Sequence, residues 1–506
     1  MFSRKPNTWA MGTFINPTMK LIARLLLLPF IWLGGGAIVR GLPNSDAVVL
    51  DQGASTYRLA RDVPSAPSEP IEILKARCAR DTHNPRVWYQ LGLAYADAGQ
   101  PALAVPAFEK VVHLAPQSAE GWANLGLSLQ AANRQDESLD AFRHAIGLGL
   151  SDPGLWNSYA ILQIRQGHLI EARSAVEKGF KFTLKYKPLW NTLGNIQMQE
   201  KNFTGAETSF QEAVKLDRVD AIAWTNLGLA KMGQGDTKGA ISPLQRGTEL
   251  DPNLVVGWFS LGDVLMQQKR FDEAIPALLK STTLSPKTGR AWYDLGYCLR
   301  SQGKYGEAVE PLIRAVELTP DMAEAWRTLS GCFLMQKDFV SGEKKLQALV
   351  DAHPKVAYGW MALGELQSAH GLQAVARTSL QKAVDLRPED GVAWNSLGMA
   401  YARGGQVDKG IECFTKSLAL KPGFDEALNN LGYSTFTQGD TAKAITYYEQ
   451  ALQSNPNHAR TLYNLVLAYL KDQKTVQARE TWERLSKVNP AGAASLVSQY
   501  PALGTP

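Results

Sequence analysis

The sequence predicts an all-α fold, a solenoid of antiparallel helix pairs preceded by a hydrophobic N-terminal segment. Three observations predict it. Tryptophan recurs at 88, 122, 156, 190, 224, 258, 292, 326, 360 and 394, always 34 residues apart. A Leu-Gly pair or a near relative follows each by three residues, from Leu91-Gly92 and Leu125-Gly126 to Leu397-Gly398, and Leu431-Gly432 continues the series. Between these landmarks the apolar residues keep helical spacing, and glycine and proline interrupt them at regular places. With 506 residues, 45% apolar and 20% charged, the chain has a globular composition, and a repeat array uses such length because each unit needs only its neighbours.

The first element is residues 1–45, a signal or membrane anchor. Arg4, Lys5, Lys20, Arg24 and Arg40 stand here with no acidic residue, so this segment holds the whole net charge of +5. Lys20 and Arg24 precede the uncharged run Leu25–Val39, the order of a positive region followed by an apolar one. That run spans about 22 Å as a helix against roughly 30 Å of hydrocarbon, and extension back to Leu21 gives about 28 Å. Gly35-Gly36-Ala37 offers a small-residue cleavage site, so a cleaved signal and a retained anchor both remain open. Met19 is an alternative start. In either case the positive-inside rule sends the body of the chain across the membrane. Residues 46–70 are a linker, with Pro43, Pro64, Pro67 and Pro70 in or beside it breaking any long helix.

Residues 71–84 read as half a repeat, a lone helix Ile71–Arg80 capping the array. Twelve units then tile 85–492, with Leu428 and Leu462 taking the tryptophan place in the last two. In the first unit Trp88, Leu91 and Tyr95 lie on one face of a helix. Gly99 and Pro101 interrupt it, and Ala104, Phe108 and Val111 form the face of a second helix that Pro116 stops. Small residues at Gly92 and Ala104 and their counterparts let the two helices approach, and the tryptophans are expected to fill the wedge beside them. Burial of one indole is worth roughly 4–6 kcal/mol as an upper bound. Leu150, Leu184 and Arg218 replace the closing proline in units two to four, so the angle between units is expected to differ there. Residues 493–506 form a C-terminal cap and tail.

The pattern W-x-x-L-G-x-x-Y, then A-x-x-x-F, then a closing proline resembles the tetratricopeptide repeat family. The resemblance implies a right-handed superhelix with a concave groove lined by the first helix of each unit, and a role in holding peptide segments or partner proteins. The family's groove places carry over to a run of soft side chains that includes Met198, Met232, Phe259, Met266, Tyr293, Tyr297, Met335 and Met361. Met399, Tyr433, Phe436 and Tyr463 continue it toward the C-terminal end. Met and Tyr suit adaptable binding of an apolar or helical segment, although some of these places pack between neighbouring units instead. Polar groove residues such as Asn395 and Asn429 would bond a bound peptide backbone or form a solvated wall. The site expected from the sequence is therefore Phe259, Tyr293, Tyr297, Met335, Met361, Asn395, Met399, Asn429, Tyr433 and Phe436. The fifth place of the units never carries the lysine with which the family's chaperone-tail clamp begins.

Other functions lack their residues. No histidine pair, zinc spacing, phosphate loop or serine elbow occurs, so no catalytic residue, metal or cofactor is expected. Residues 46–506 sum to zero charge, which argues against a nucleic-acid face. Cys298 and Cys332 fall at one place in adjacent units, about a helix diameter apart, beyond disulfide reach, and read as buried thiols. The reading is a non-enzymatic scaffold at a membrane, with its repeats on the extracytoplasmic side, for assembly of an envelope, secretion or polysaccharide-export complex. The alternatives are an accessory subunit of a glycosyltransferase-type enzyme and an N-anchored receptor with cytosolic repeats. Self-association through the solenoid ends is also open.

Overall fold

The computed structural model describes residues 69–504. The expected signal or anchor at 1–45 and the linker up to residue 68 lie outside the described residues. All regular structure among the described residues is helical. Helix α1 (Ile71–Arg80) stands alone. The pairs that follow are α2 (Pro85–Asp97) with α3 (Pro101–Leu114), α4 (Ala119–Ala131) with α5 (Gln135–Gly147), α6 (Pro153–Arg165) with α7 (Leu169–Phe180), and α8 (Lys187–Gln199) with α9 (Phe203–Leu216). Next come α10 (Ala221–Gly233) with α11 (Thr237–Leu250), α12 (Val255–Gln267) with α13 (Phe271–Leu284), α14 (Gly289–Ser301) with α15 (Tyr305–Leu318), and α16 (Ala323–Gln336) with α17 (Phe339–Ala352). Then follow α18 (Ala357–Ala369) with α19 (Gln373–Leu386), α20 (Gly391–Arg403) with α21 (Val407–Leu420), α22 (Asp425–Thr437) with α23 (Thr441–Ser454), and α24 (Ala459–Lys471) with α25 (Thr475–Val488). Helix α26 (Pro490–Gln499) and a short 3-10 turn at Pro501–Leu503 close the stack.

Each turn between paired helices uses one residue in the left-handed region, at the same place every time. Gly99, Gly167, Gly235, Gly303, Gly371, Gly405 and Gly439 fill it in seven pairs, and Asn133, Lys201, Lys269, Lys337 and Gln473 in the other five. Glycine adopts this conformation freely, whereas a side chain makes it costly.

The close approach expected within each pair is present. A Cβ on Gly126 would lie 2.5 Å from the Phe142 ring, and one on Gly262 or Gly296 would lie 2.6 Å from Cγ of Leu278 or Leu312. These partner side chains are completely buried, as are Ala172, Ala206, Ala240, Ala274 and Ala308 beside them. The core therefore includes the seam between the two helices of each pair, and in the middle of the stack it runs on from pair to pair. The tryptophans are a correction to the expectation. Trp156, Trp326 and Trp360 are buried, but the other seven of the periodic set are only half-buried. Their role is partly polar: the indole N–H donates to the carbonyl six residues upstream, as from Trp258 to Pro252 and from Trp292 to Pro286, both at 2.9 Å. The closing proline is thus also an acceptor that ties one pair to the next.

Consecutive first helices touch one another while second helices do so less, so the stack curves with the first helices on its inner side. Where the closing proline is missing the outcomes differ. Trp190 and Trp224 still reach the carbonyls of Leu184 and Arg218. Trp156 does not reach Leu150, and its indole N–H is buried without an acceptor. There α5 stops at Gly147, Gly149 turns the chain at φ +88°, and α5 packs loosely on α6.

The eighth pair departs further. Ser330 replaces the usual glycine and Gly342 replaces the usual alanine. Phe333 of α16 and Leu366 of α18 both press on Gly342, where a Cβ would lie 2.7 and 2.8 Å from them. Helix α16 accordingly packs more extensively on α18 than on its own partner α17, and α18 contacts both.

At the ends, Leu74 and Cys78 of α1 bury against Val87, Leu91 and Phe108. Pro490 follows the end of α25 at Val488 as the other closing prolines do, and it also opens α26, which Asn489 caps through the Gly492 N–H at 3.1 Å. Ala493, Leu496 and Leu503 then cover the last pair. No helix among the described residues is long and apolar enough to cross a membrane.

Candidate functional site

The inner surface is built from the exposed faces of the first helices, and its polar residues are largely spent on the stack itself. A residue at the fifth place of one pair accepts from the sixth place of the next, 35 residues on. Asn124 donates to Tyr89 at 2.9 Å, Thr192 to Asn157 at 2.7 Å, Asn430 to Asn395 at 3.0 Å and Asn464 to Asn429 at 3.0 Å. Tyr293 and Thr328 make the same bond. Phe259, Tyr293, Asn395 and Asn429, all named from the sequence, are therefore buried at junctions, at 5%, 7%, 5% and 2% exposure. Met232 and Met266 are likewise core residues. Tyr297, Met361, Met399 and Phe436 are half-buried, and Met335 and Tyr433 are exposed.

Charges enter this surface at its middle. Arg290 pairs with Asp294 at 2.9 Å and lies over the Tyr293 ring at 5.2 Å. Burial opposes the Arg290 charge, but Asp294 and Asp263 more than offset it and raise its pKa. Behind them, burial pushes the Cys298 thiol up to about 12, with the two carboxylates adding to the effect. Glu365 keeps part of its surface open, yet close packing around its carboxyl raises its pKa, against the bond from Ser396 at 2.7 Å and the charge of Arg327. Among the described residues no cluster of His, Cys, Asp or Glu could hold a metal.

Toward the C-terminal end the inner surface opens into a cavity of 510 Å³ between α20, α22 and α24, with Val407 and Phe414 of α21 in its wall. Met399, Val407 and Tyr433 supply its apolar lining, Asn429 and Asn464 its amides, and Arg403 and Arg460 its charge. Met399, Asn429 and Tyr433 were expected from the sequence. Arg403 and Arg460 were missed, although they occupy the thirteenth and second places, which belong to the inner face. Tyr297, Met335 and Met361 lie four, three and two pairs before Tyr433 and line no part of this cavity. The arrangement offers shape, apolar contact and charge.

A stack of this kind, with an open inner surface and a lined cavity, defines a helical-repeat interaction scaffold. A tetratricopeptide repeat model matches residues 89–153, 191–254, 259–322, 301–357 and 361–423, and a second tetratricopeptide repeat model matches 436–500. The chain belongs to the tetratricopeptide repeat family. No curated protein matches the sequence. Among solved structures it is similar to the Cut9–Hcn1 hetero-tetramer of the APC/C, at 14% identity over 85% of this chain and 98% of that one, with a TM-score of 0.39. It is also similar to YrrB, a tetratricopeptide protein with an unusual peptide-binding site, at 20% identity over 43% of this chain and 95% of that one, with a TM-score of 0.31. Likeness at this level places no residue in correspondence.

Proposed function

We propose that this chain holds a peptide segment of a partner protein in the cavity between α20, α22 and α24. The observation that carries the reading is that cavity, 510 Å³ with an exposed tyrosine, a methionine and unsatisfied charge on the inner surface of an interaction repeat. Pockets of this size with a few placed polar groups are where proteins bind small ligands and side-chain anchors. Tyr433 is the anchor contact, at 55% exposure in a chain whose other inner aromatics are mostly covered. Truncation of such an anchor commonly removes much of the binding energy. The test is cross-linking and co-purification of the full chain beside a Met399→Ala/Tyr433→Ala variant. A partner lost by the variant while circular dichroism stays unchanged supports the reading, and a partner retained by it sinks the reading.

The same proposal includes a place and a setting. The basic and then apolar order of Lys20, Arg24 and Leu25–Val39 supports a membrane-anchored or exported protein with its repeats on the extracytoplasmic side, within the divisions 1–45, 46–70, 71–84, 85–492 and 493–506. An envelope, secretion or polysaccharide-export assembly is a setting of that kind. A C-terminal alkaline phosphatase fusion active in whole cells supports this placement, and an inactive fusion that is nonetheless produced refutes it.

A further inference from the structure

The geometry points to an acidic partner: the cavity between α20, α22 and α24 takes an extended segment in which a carboxylate side chain lies within a few residues of an apolar one. The inference rests on the cavity being the binding site and adds the chemical class of what enters it. Its basis is that Arg403 and Arg460 line the cavity without a carboxylate partner, in contrast to five surface arginines elsewhere. Arg134, Arg143, Arg246, Arg270 and Arg314 each pair with an acid three residues away in the chain, at Glu137, Asp140, Glu249, Glu273 and Glu317. These pairs occupy the cations where they stand. Three and four residues from Arg403 lie Met399, Ala400, Gln406 and Val407, and from Arg460 lie Pro456, Asn457, Tyr463 and Asn464, with no acid among them. Among the described residues neither arginine pairs with a carboxylate, and Arg403 has only a long bond to Ser368 at 3.4 Å. Glu426 occupies the place of Arg460 in the preceding pair, but it does not line the cavity.

The two cations are therefore exposed and without a carboxylate partner at a cavity of mixed polar and apolar lining. Guanidinium groups bind carboxylates through two parallel hydrogen bonds, which makes them selective as well as attractive. Between them, Met399, Val407 and Tyr433 accept an apolar side chain. Asn464 spends only its amide N–H on Asn429, so its oxygen remains an acceptor for a backbone N–H of the bound segment. An extended chain places successive side chains on opposite sides, so an acid and an apolar residue one or two apart meet rim and floor together.

The test uses the full chain in mild detergent and a pool of random twelve-residue peptides displayed within a phage coat protein, so that no free C-terminal carboxylate is present. The expected sequences are rich in Asp or Glu beside Leu, Met or Phe. A recovered sequence made as an amidated peptide should bind on the order of tenfold more tightly than its Asn/Gln counterpart. Arg403→Gln/Arg460→Gln should erase that ratio while the neutral peptide still binds, and both arginines are exposed, so the fold is unaffected. Recovered sequences without acidic enrichment, or a ratio that survives in the double arginine variant, overturn the acidic class and leave the cavity in place. Recovery that is equal from Met399→Ala/Tyr433→Ala, or no recovery at all, overturns the cavity and the class together.

Discussion

Substitution of Gly296 by alanine tests the packing argument at a place remote from the cavity. A Cβ there would lie 2.6 Å from Leu312 Cγ, 2.8 Å from its Cδ2 and 3.3 Å from the carbonyl oxygen of Ala308. Leu312 is completely buried and Ala308 belongs to the facing helix backbone, so neither can step aside cheaply. Overpacking of this kind costs about 1–3 kcal/mol. Removal of a helical glycine returns about 1 kcal/mol. The expected net effect is a loss of about 1 kcal/mol. Gly306 is the control, because its Cβ would meet only Oε1 of the Gln336 side chain, at 3.4 Å. Gly306→Ala should therefore gain about 0.5–1 kcal/mol, leaving a gap of about 2 kcal/mol between the two variants. Urea unfolding followed by circular dichroism measures the gap, and hydrogen exchange on α14 and α15 localises it, since a repeat array need not unfold as one unit. A Gly296→Ala protein as stable as the parent, or a shift equal in the two variants, refutes the reasoning.

Asn429→Ala should cost about 1–3 kcal/mol, because it strips the acceptor from Asn464 and Thr461 in a buried junction; an unchanged urea midpoint would count against the polar ladder. Lys269→Gly should raise stability by about 1 kcal/mol in the same titration, because Lys269 holds φ at +58° where glycine is unstrained, and a loss would show that its side chain contributes more than the strain. Glu365 binds its proton more tightly in the folded chain than in the unfolded one, so stability should fall as pH rises from the ordinary glutamate value through the raised one. Glu365→Gln should flatten that slope in urea titrations across pH, and a slope that persists places the effect elsewhere. The Cys298, Cys332 and Cys413 thiols are pushed up to about 12, 11 and 11 by burial, so they should react with Ellman's reagent only after unfolding, and prompt reaction of the native chain would contradict their burial.

The pairs were legible because a single place in each carries one physical demand. Gly92 or Gly296 must admit Phe108 or Leu312, so the residue type repeats with the period and can be read without coordinates. The inner surface was less legible because one residue type serves two uses there. Asn395 and Tyr293 look like binding groups in a one-dimensional reading, yet the sixth-place residues Asn430 and Thr328 absorb them. That spacing of 35 was available as a signal, one residue longer than the repeat. The cavity was not available, since it depends on how far Met399, Tyr433 and Arg460 reach from three different helices. The eighth pair left a trace in the exchange of glycine between 330 and 342, but its meaning required seeing Phe333 and Leu366 meet at Gly342.

That eighth pair limits how the protein can be cut. Most pairs form their seam internally, so a fragment ending between pairs keeps its seams whole. Helices α16 and α17 complete theirs with α18, and Trp326 lies completely buried against Gly359 of that helix. A truncation after Ala352 would strand an indole and a phenylalanine in water, whereas one after Leu318 would not. Residues 323–386 are therefore packed as one unit of four helices, about twice the length of the repeat by which the chain is written.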